Sequence, residues 1–122
     1  MPAKGRYIMT IIELLHWVKV TDSAPWIKRY AMQVIVYKDL IWLMGGCPLF
    51  PSTHLNDVWY LTDGINWNQG AKSSDWAARK SFSVLSFKSR LWLIGGDTTA
   101  YKFGTNDVWN SKCAITKPAK NY

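Results

Sequence analysis

A chain of 122 residues with 48% apolar and 15% aromatic side chains has the composition of one folded domain, which excludes a disordered tail and a low-complexity linker. The net charge of +7 is carried by scattered cations: Lys28-Arg29 and Arg79-Lys80 are the adjacent basic pairs, no recognition-helix pattern accompanies them, and a solvated basic surface is expected in place of nucleic-acid binding. Eight Trp and six Tyr are many for this length, and such rings suit half-buried strand faces or surfaces that bind sugars or proteins.

Residues 1–16 match nothing later in the chain and are set apart as an unmatched N-terminal segment. Lys4 and Arg6 before the apolar run 7–12 give the outline of a signal peptide, but Glu13 interrupts the run and no small-residue cleavage site follows, so no targeting segment is expected. The stretch 8–18 reads equally as a short helix or a strand. No run approaches the eighteen or so apolar residues of a membrane-spanning helix, and no membrane span is expected.

From Trp17 onward the chain repeats itself at an offset of 50 residues. Trp17, Ser23, Trp26, Arg29, Val34, Lys38, Trp42, Leu43, Gly45, Gly46, Asn56, Asp57, Val58 and Trp59 all return 50 positions later. Unrelated sequences of ordinary composition would share about three residues over such a length, so a duplication is the reading.

Within one repeat the signals are those of short strands and turns. The mostly apolar run 31–37 is a first strand, 40–44 is a second, and Lys38-Asp39 is the two-residue connection of a hairpin. Gly45-Gly46 is expected to end the second strand, because glycine admits the positive φ that side-chain-bearing residues resist. A loop of mixed character follows over 47–55. Residues 57–61 form a third strand, Asp63-Gly64 marks a turn, and 65–69 form a fourth strand carrying Trp67. Four antiparallel strands per repeat make an all-β chain of β-propeller blade type.

The residues Trp26-x-x-Arg29, an apolar strand, Trp42-Leu43-Met44-Gly45-Gly46, Asn56-Asp57-Val58-Trp59 and Thr62-Asp63-Gly64-x-x-Trp67 together resemble kelch repeats, most of all their Trp-rich bacterial form. The resemblance covers about 17–111. It implies the last strand of one blade at 17–20, a complete four-stranded blade at 31–69, three strands of the next at 81–111, and a divergent basic tail at 112–122. It also implies that the 31 and 81 strands are innermost, that the Trp67 strand is outermost, and that the protein works outside the cytoplasm or at a cell surface. The tail departs from the pattern, since Lys117 stands where Trp67 would repeat. About two blades are too few to close a propeller. A fragment of a longer gene product is expected ahead of a ring of several copies, because isolated end blades expose large apolar faces.

Residues that recur in both repeats are more economically explained by the scaffold than by one ligand. On that ground Trp26, Trp76, Arg29, Arg79, Gly45, Gly46, Gly95, Gly96, Asp57, Asp107, Trp59 and Trp109 are read as structural. Trp rings would fill the wedges between sheets, the Asn56-Asp57 pair would hydrogen-bond loop amides, and Arg29 and Arg79 would meet Asp57 or Asp107 as a planar fork on a carboxylate. The loops that differ, 47–55 and 97–105, are the candidate recognition surface, beside the lead-in segments 21–30 and 70–80. They carry Phe50, His54, Tyr101, Lys102 and Phe103 as candidate ligand-binding residues for a sugar or a peptide.

Catalysis is not expected. Cys47, Cys113, His16 and His54 lie in no metal-ligand spacing, so neither a metal nor another cofactor is expected, and two thiols are favoured over a Cys47–Cys113 disulfide. No paired carboxylates, activated nucleophile or phosphate loop stands out. The sequence reading is therefore a non-catalytic binding module for protein or glycan, with self-association as a further partner. The alternative is part of a carbohydrate-acting propeller enzyme, since the resembling family includes a copper radical oxidase and a sialic-acid mutarotase, and related propellers include sialidases.

Overall fold

The computed structural model describes residues 15–49, 53–98 and 104–112. Among these the chain is all-β, with two antiparallel four-stranded sheets and no helix, hence no helix long and apolar enough to cross a membrane. Sheet I runs in sequence order through β1 (Gln33–Tyr37), β2 (Leu40–Gly46), β3 (Leu55–Leu61) and β4 (Trp67–Ala71). Sheet II comprises β5 (Arg79–Lys80), β6 (Ser83–Phe87), β7 (Arg90–Thr98) and β8 (Thr105–Asn110). In sheet II, β5 and β6 both pair with β7, which also pairs with β8.

Each first hairpin closes on a two-residue turn with both central residues at positive φ, Lys38 and Asp39 at 52° and 63°, Lys88 and Ser89 at 51° and 61°. This is the twist-matching hairpin geometry, here built without the Asn-Gly that relieves its strain. The Trp42 indole N–H donates to the Tyr37 carbonyl and that of Trp92 to the Phe87 carbonyl, each at 3.0 Å, which ties each hairpin end to its second strand.

The expected strand bounds shift for local reasons. Ala31 and Ser81 take φ of 57° and 55°, which breaks the first strand before β1 and separates β5 from β6. Gly45-Gly46 end the second strand as its last two residues, at φ 65° and 100°, with the register shifting between Met44 and Gly46 and Gly46 still paired with Leu55. They form a bulge, repeated at Gly95-Gly96. The fourth strand starts at Trp67 and not at 65, because the Asp63 carboxylate accepts from the backbone N–H of Ile65 and Asn66 at 2.9 and 2.7 Å and holds the chain in a turn. Residues 17–20 form no strand, and Trp17, 89% exposed, lacks the ladder that holds its repeat-mate Trp67.

Strand alternation gives each sheet two apolar sides. The near side of sheet I, turned to sheet II, carries Ile35, Trp42, Met44 and Val58; its far side carries Val34, Val36, Ile41, Leu43, Trp59 and Leu61. The near side of sheet II carries Val84, Leu91, Leu93 and Trp109; its far side carries Leu85, Phe87, Trp92, Ile94 and Val108. The core between the sheets is Met44, Phe82 and Leu93, with Ile35, Trp42, Val58, Trp76, Val84 and Leu91 around it. Phe82 decides how closely the sheets approach: a Cβ at Gly45 would come within 2.6 Å of its ring, and one at Gly96 within 2.6 Å of its own Cβ. Hydrogen bonds also bridge the sheets, from Ser81 N–H to the Ala31 carbonyl at 3.0 Å and from the Tyr37 hydroxyl to the Ser89 carbonyl at 2.6 Å.

The strained hairpin supplies a stability test. Asp39→Gly removes the cost of a side chain at φ 63° and is expected to raise stability by about 1 kcal/mol, read as an upward shift of the thermal midpoint. A midpoint that falls would show that Asp39 makes a compensating contact.

Candidate recognition face

Two buried guanidinium groups hold the ends of the sheets from which the unlike loops leave. The Arg29 and Arg79 side chains are both fully buried. Arg29 Nε donates to the Ile27 carbonyl at 3.0 Å, Nη1 to the Gly45 carbonyl at 3.0 Å and to Asp57 Oδ1 at 2.6 Å, and Nη2 to Asp57 Oδ2 at 2.9 Å. Arg79 repeats the pattern on the Ala77 carbonyl at 3.0 Å, the Gly95 carbonyl at 2.6 Å, and Asp107 at 2.8 and 2.7 Å. The Trp59 and Trp109 indole N–H groups each add a 2.9 Å bond to the same carboxylate, and Thr105 Oγ1 donates to Asp107 at 2.9 Å. Each Arg thus joins its lead-in segment, the glycine bulge and the following strand. The expected Arg–Asp pairing is present and lies within each repeat.

The electrostatics follow from these bonds. Burial pushes the Asp57 carboxyl up, but the Arg29 fork and the Trp59 N–H outweigh it and hold the group below its ordinary value. The Arg79 guanidinium holds Asp107 well below that range, against burial and helped by Trp109 and Thr105. Asp63, at the exposed turn, is lowered to about 2 by the backbone N–H groups of Asn66 and Ile65.

The lead-in segments and the loops meet as expected. Tyr30 and Cys47 exchange both backbone hydrogen bonds, at 3.0 and 2.9 Å, and the equivalent Arg79–Lys80 strand pairs with Asp97 and Thr98. Asn56 accepts the Ser74 backbone N–H on its own carbonyl at 3.0 Å, and its side-chain amide donates to the carbonyls of Ser74 and Trp76, both at 3.2 Å, so it ties the third strand to the next lead-in segment. Cys47 is buried, its thiol 3.3 Å from the Pro48 carbonyl. Cys113 lies outside the described residues.

Of the candidate ligand-binding residues, Phe50, Tyr101, Lys102 and Phe103 lie outside the described residues. His54 is described, and both its ring nitrogens are buried. The residue as a whole is half-buried, next to the start of β3. Among the described residues no group of three His, Cys, Asp or Glu side chains is placed to hold a metal.

Two grooves escaped the sequence reading. One, of about 900 Å³, runs on the far side of sheet I between the lead-in segment and β4, over Trp26, Leu61, Ile65 and Trp67. Its floor is set by an edge-to-face contact of Trp26 and Trp67 at 5.7 Å. The other, of about 850 Å³, opens between the sheets beside Trp42, Trp76 and Trp109. Trp76 fills the wedge as expected, packing on Phe82 at 5.9 Å, whereas its repeat-mate Trp26 lies on the open far side. The signal available in the sequence was the aromatic recurrence, but recurrence does not show which copy has a neighbouring sheet. No protein-family model matches the chain, and no curated protein sequence matches it.

The buried pairs set a mutational and an acid test. Asp57→Asn leaves a buried guanidinium without its anion and is expected to cost about 3–5 kcal/mol, a fall of roughly 12 °C or more in the melting midpoint. Asp107→Asn should cost less, because its side chain is 41% exposed and water can take part. Both carboxyls titrate lower in the folded than in the unfolded chain, whose reference value is 3.8. Their contribution is therefore full above about pH 4 and lost as pH falls through the folded values. Denaturant melts taken downward from pH 5 should show that loss in the native chain and a shallower one in either Asn variant.

Proposed function

We propose that the chain is a segment of a kelch-type β-propeller serving as a non-catalytic binding module for a protein or a glycan, with the loops joining β2 to β3 and β7 to β8 as its recognition surface. One observation carries this reading: the duplicated Arg–Asp clamp fixes the bases of both unlike loops while the clamp residues themselves recur unchanged. A rigid base that repeats beneath loops that do not repeat is the arrangement of a scaffold that varies what it binds. The clamp carboxylates are committed to Arg and Trp donors, which leaves them no role as acid or base. A net charge of +7 favours acidic ligands, such as sialylated oligosaccharides or Asp/Glu-rich peptides.

The test is a titration with neutral and sialylated oligosaccharides and with acidic and neutral peptides, followed by product analysis. Saturable binding without conversion of the probe is expected. Tyr101→Ala and Lys102→Ala should each weaken it about tenfold, with the melting midpoint held within a few degrees. Loop variants that bind as well as the native chain, or probes that come back chemically altered, would count against the reading.

A further inference from the structure

We infer that the far side of sheet II is a docking surface for a second copy of this chain, which seats the far side of its own sheet I there, head to tail. The inference stands on the internal duplication and not on the ligand reading above. Inside one chain, the near side of sheet I is covered by the near side of sheet II through Ile35, Trp42, Met44 and Val58 against Phe82, Val84, Leu91 and Leu93. The offset of 50 maps the first set onto Leu85, Trp92, Ile94 and Val108, which form the far side of sheet II. It maps the second set onto Met32, Val34, Ile41 and Leu43, of which Val34, Ile41 and Leu43 lie on the far side of sheet I, Val34 and Ile41 exposed there and Leu43 already buried within the chain. The two open sides of the molecule are therefore the two halves of an interface that the molecule already makes once.

Both halves carry exposed apolar residues. Val34 is 51% and Ile41 38% exposed on one, and Leu85 41%, Phe87 51% and Val108 56% on the other. The polar links have counterparts as well. The bond from Ser81 N–H to the Ala31 carbonyl translates into one from Ala31 of the arriving copy to Ser81. Asn56, which binds the carbonyls of Ser74 and Trp76, translates into the exposed Asn106, set to meet Ala24 and Trp26 of that copy. Among the described residues no side chain lies against Gly95 where its counterpart Gly45 meets Phe82, and the residue brought there is Met32. The groove over Trp26, Leu61 and Trp67 would receive the Trp92 end of the neighbouring sheet, as the groove between the sheets receives Trp42.

Such a contact is heterologous, so it closes into a ring where the rotation permits. With two described sheets per chain, and propellers built from four to eight, closure takes two to four copies. Like-charged copies repel one another, so association should tighten as salt rises from 20 to 300 mM.

Sedimentation equilibrium of the full chain tests this, with two single variants. The native chain is expected at two to four times the 14.0 kDa of one chain. Val34→Asp and Val108→Asp change residues more than half exposed within one chain, so each should stay folded by circular dichroism and run as a monomer. Mixed one to one, they retain one intact pair of faces and should form a dimer of one copy each. Phe87→Tyr restores the phenol of its counterpart Tyr37, which donates to a backbone carbonyl across the internal interface, and should tighten association about fivefold. A native chain that remains at 14.0 kDa at tens of micromolar would overturn the inference, and would leave a flanking sheet of a longer polypeptide as the occupant. Association that survives either Asp variant, or variants that fail to complement on mixing, would overturn it equally, since a two-fold or non-specific contact behaves in that way.

Discussion

A guanidinium group withdrawn from water has to find partners for its donors, and that requirement organises each sheet of this protein. Arg29 and Arg79 spend their N–H groups on the carbonyl two residues earlier, on the first glycine of the bulge, and on both oxygens of an Asp. Three segments distant in sequence are thereby held to one geometry. The glycines follow from it, because the bulge that turns a carbonyl toward the Arg also brings the backbone against Phe82 or Tyr30, where no Cβ fits. The Trp59 and Trp109 N–H groups complete the carboxylates and anchor a large ring beside each clamp.

The second consequence concerns what one sheet cannot do alone. Each sheet is apolar on both sides, so a single neighbour covers half of it. Between the sheets the burial is complete at Met44, Phe82 and Leu93; on the far sides Leu43 is buried too, but Val34, Val36, Phe87 and Val108 remain half or more exposed. The interior interface is thus both the main source of cohesion and the pattern for what each open side lacks. Asn56 shows how closely the two are coupled, since its amide reaches from sheet I to the carbonyls of the segment that leads into sheet II.

Several of these features could be read in advance, and the failures have specific causes. The Arg–Asp pairing was legible because a planar fork and a carboxylate recur together at one spacing. Which carboxylate each Arg takes was not legible, because both lie at repeat positions. Gly45-Gly46 end the second strand as expected and form a bulge there as well, which positive φ alone does not signal and the pairing of Gly46 with Leu55 reveals. Asn56 was expected on amides and takes the Ser74 amide on its backbone carbonyl, while its side chain, which offers both a donor and an acceptor, reaches carbonyls instead. Trp17 repeats Trp67 yet forms no strand, since identity at a repeat position supplies no neighbouring strand to pair with. The burial of the His54 ring nitrogens was not legible either, since burial is decided by packing.

Taken by itself, the sequence determined the all-β class, the period of the duplication, the hairpin at Lys38-Asp39 and the pairing chemistry of Arg with Asp. These depend on local alternation, on turn residues and on complementary side-chain types, all of which are written along the chain. Only the tertiary structure decided that Phe82 sets the approach of the sheets, that the glycines form bulges, and that Trp76 is enclosed while Trp26 lines an open groove. Those outcomes depend on which side of a sheet meets which neighbour, and a residue's place in the sequence does not specify its neighbours in space.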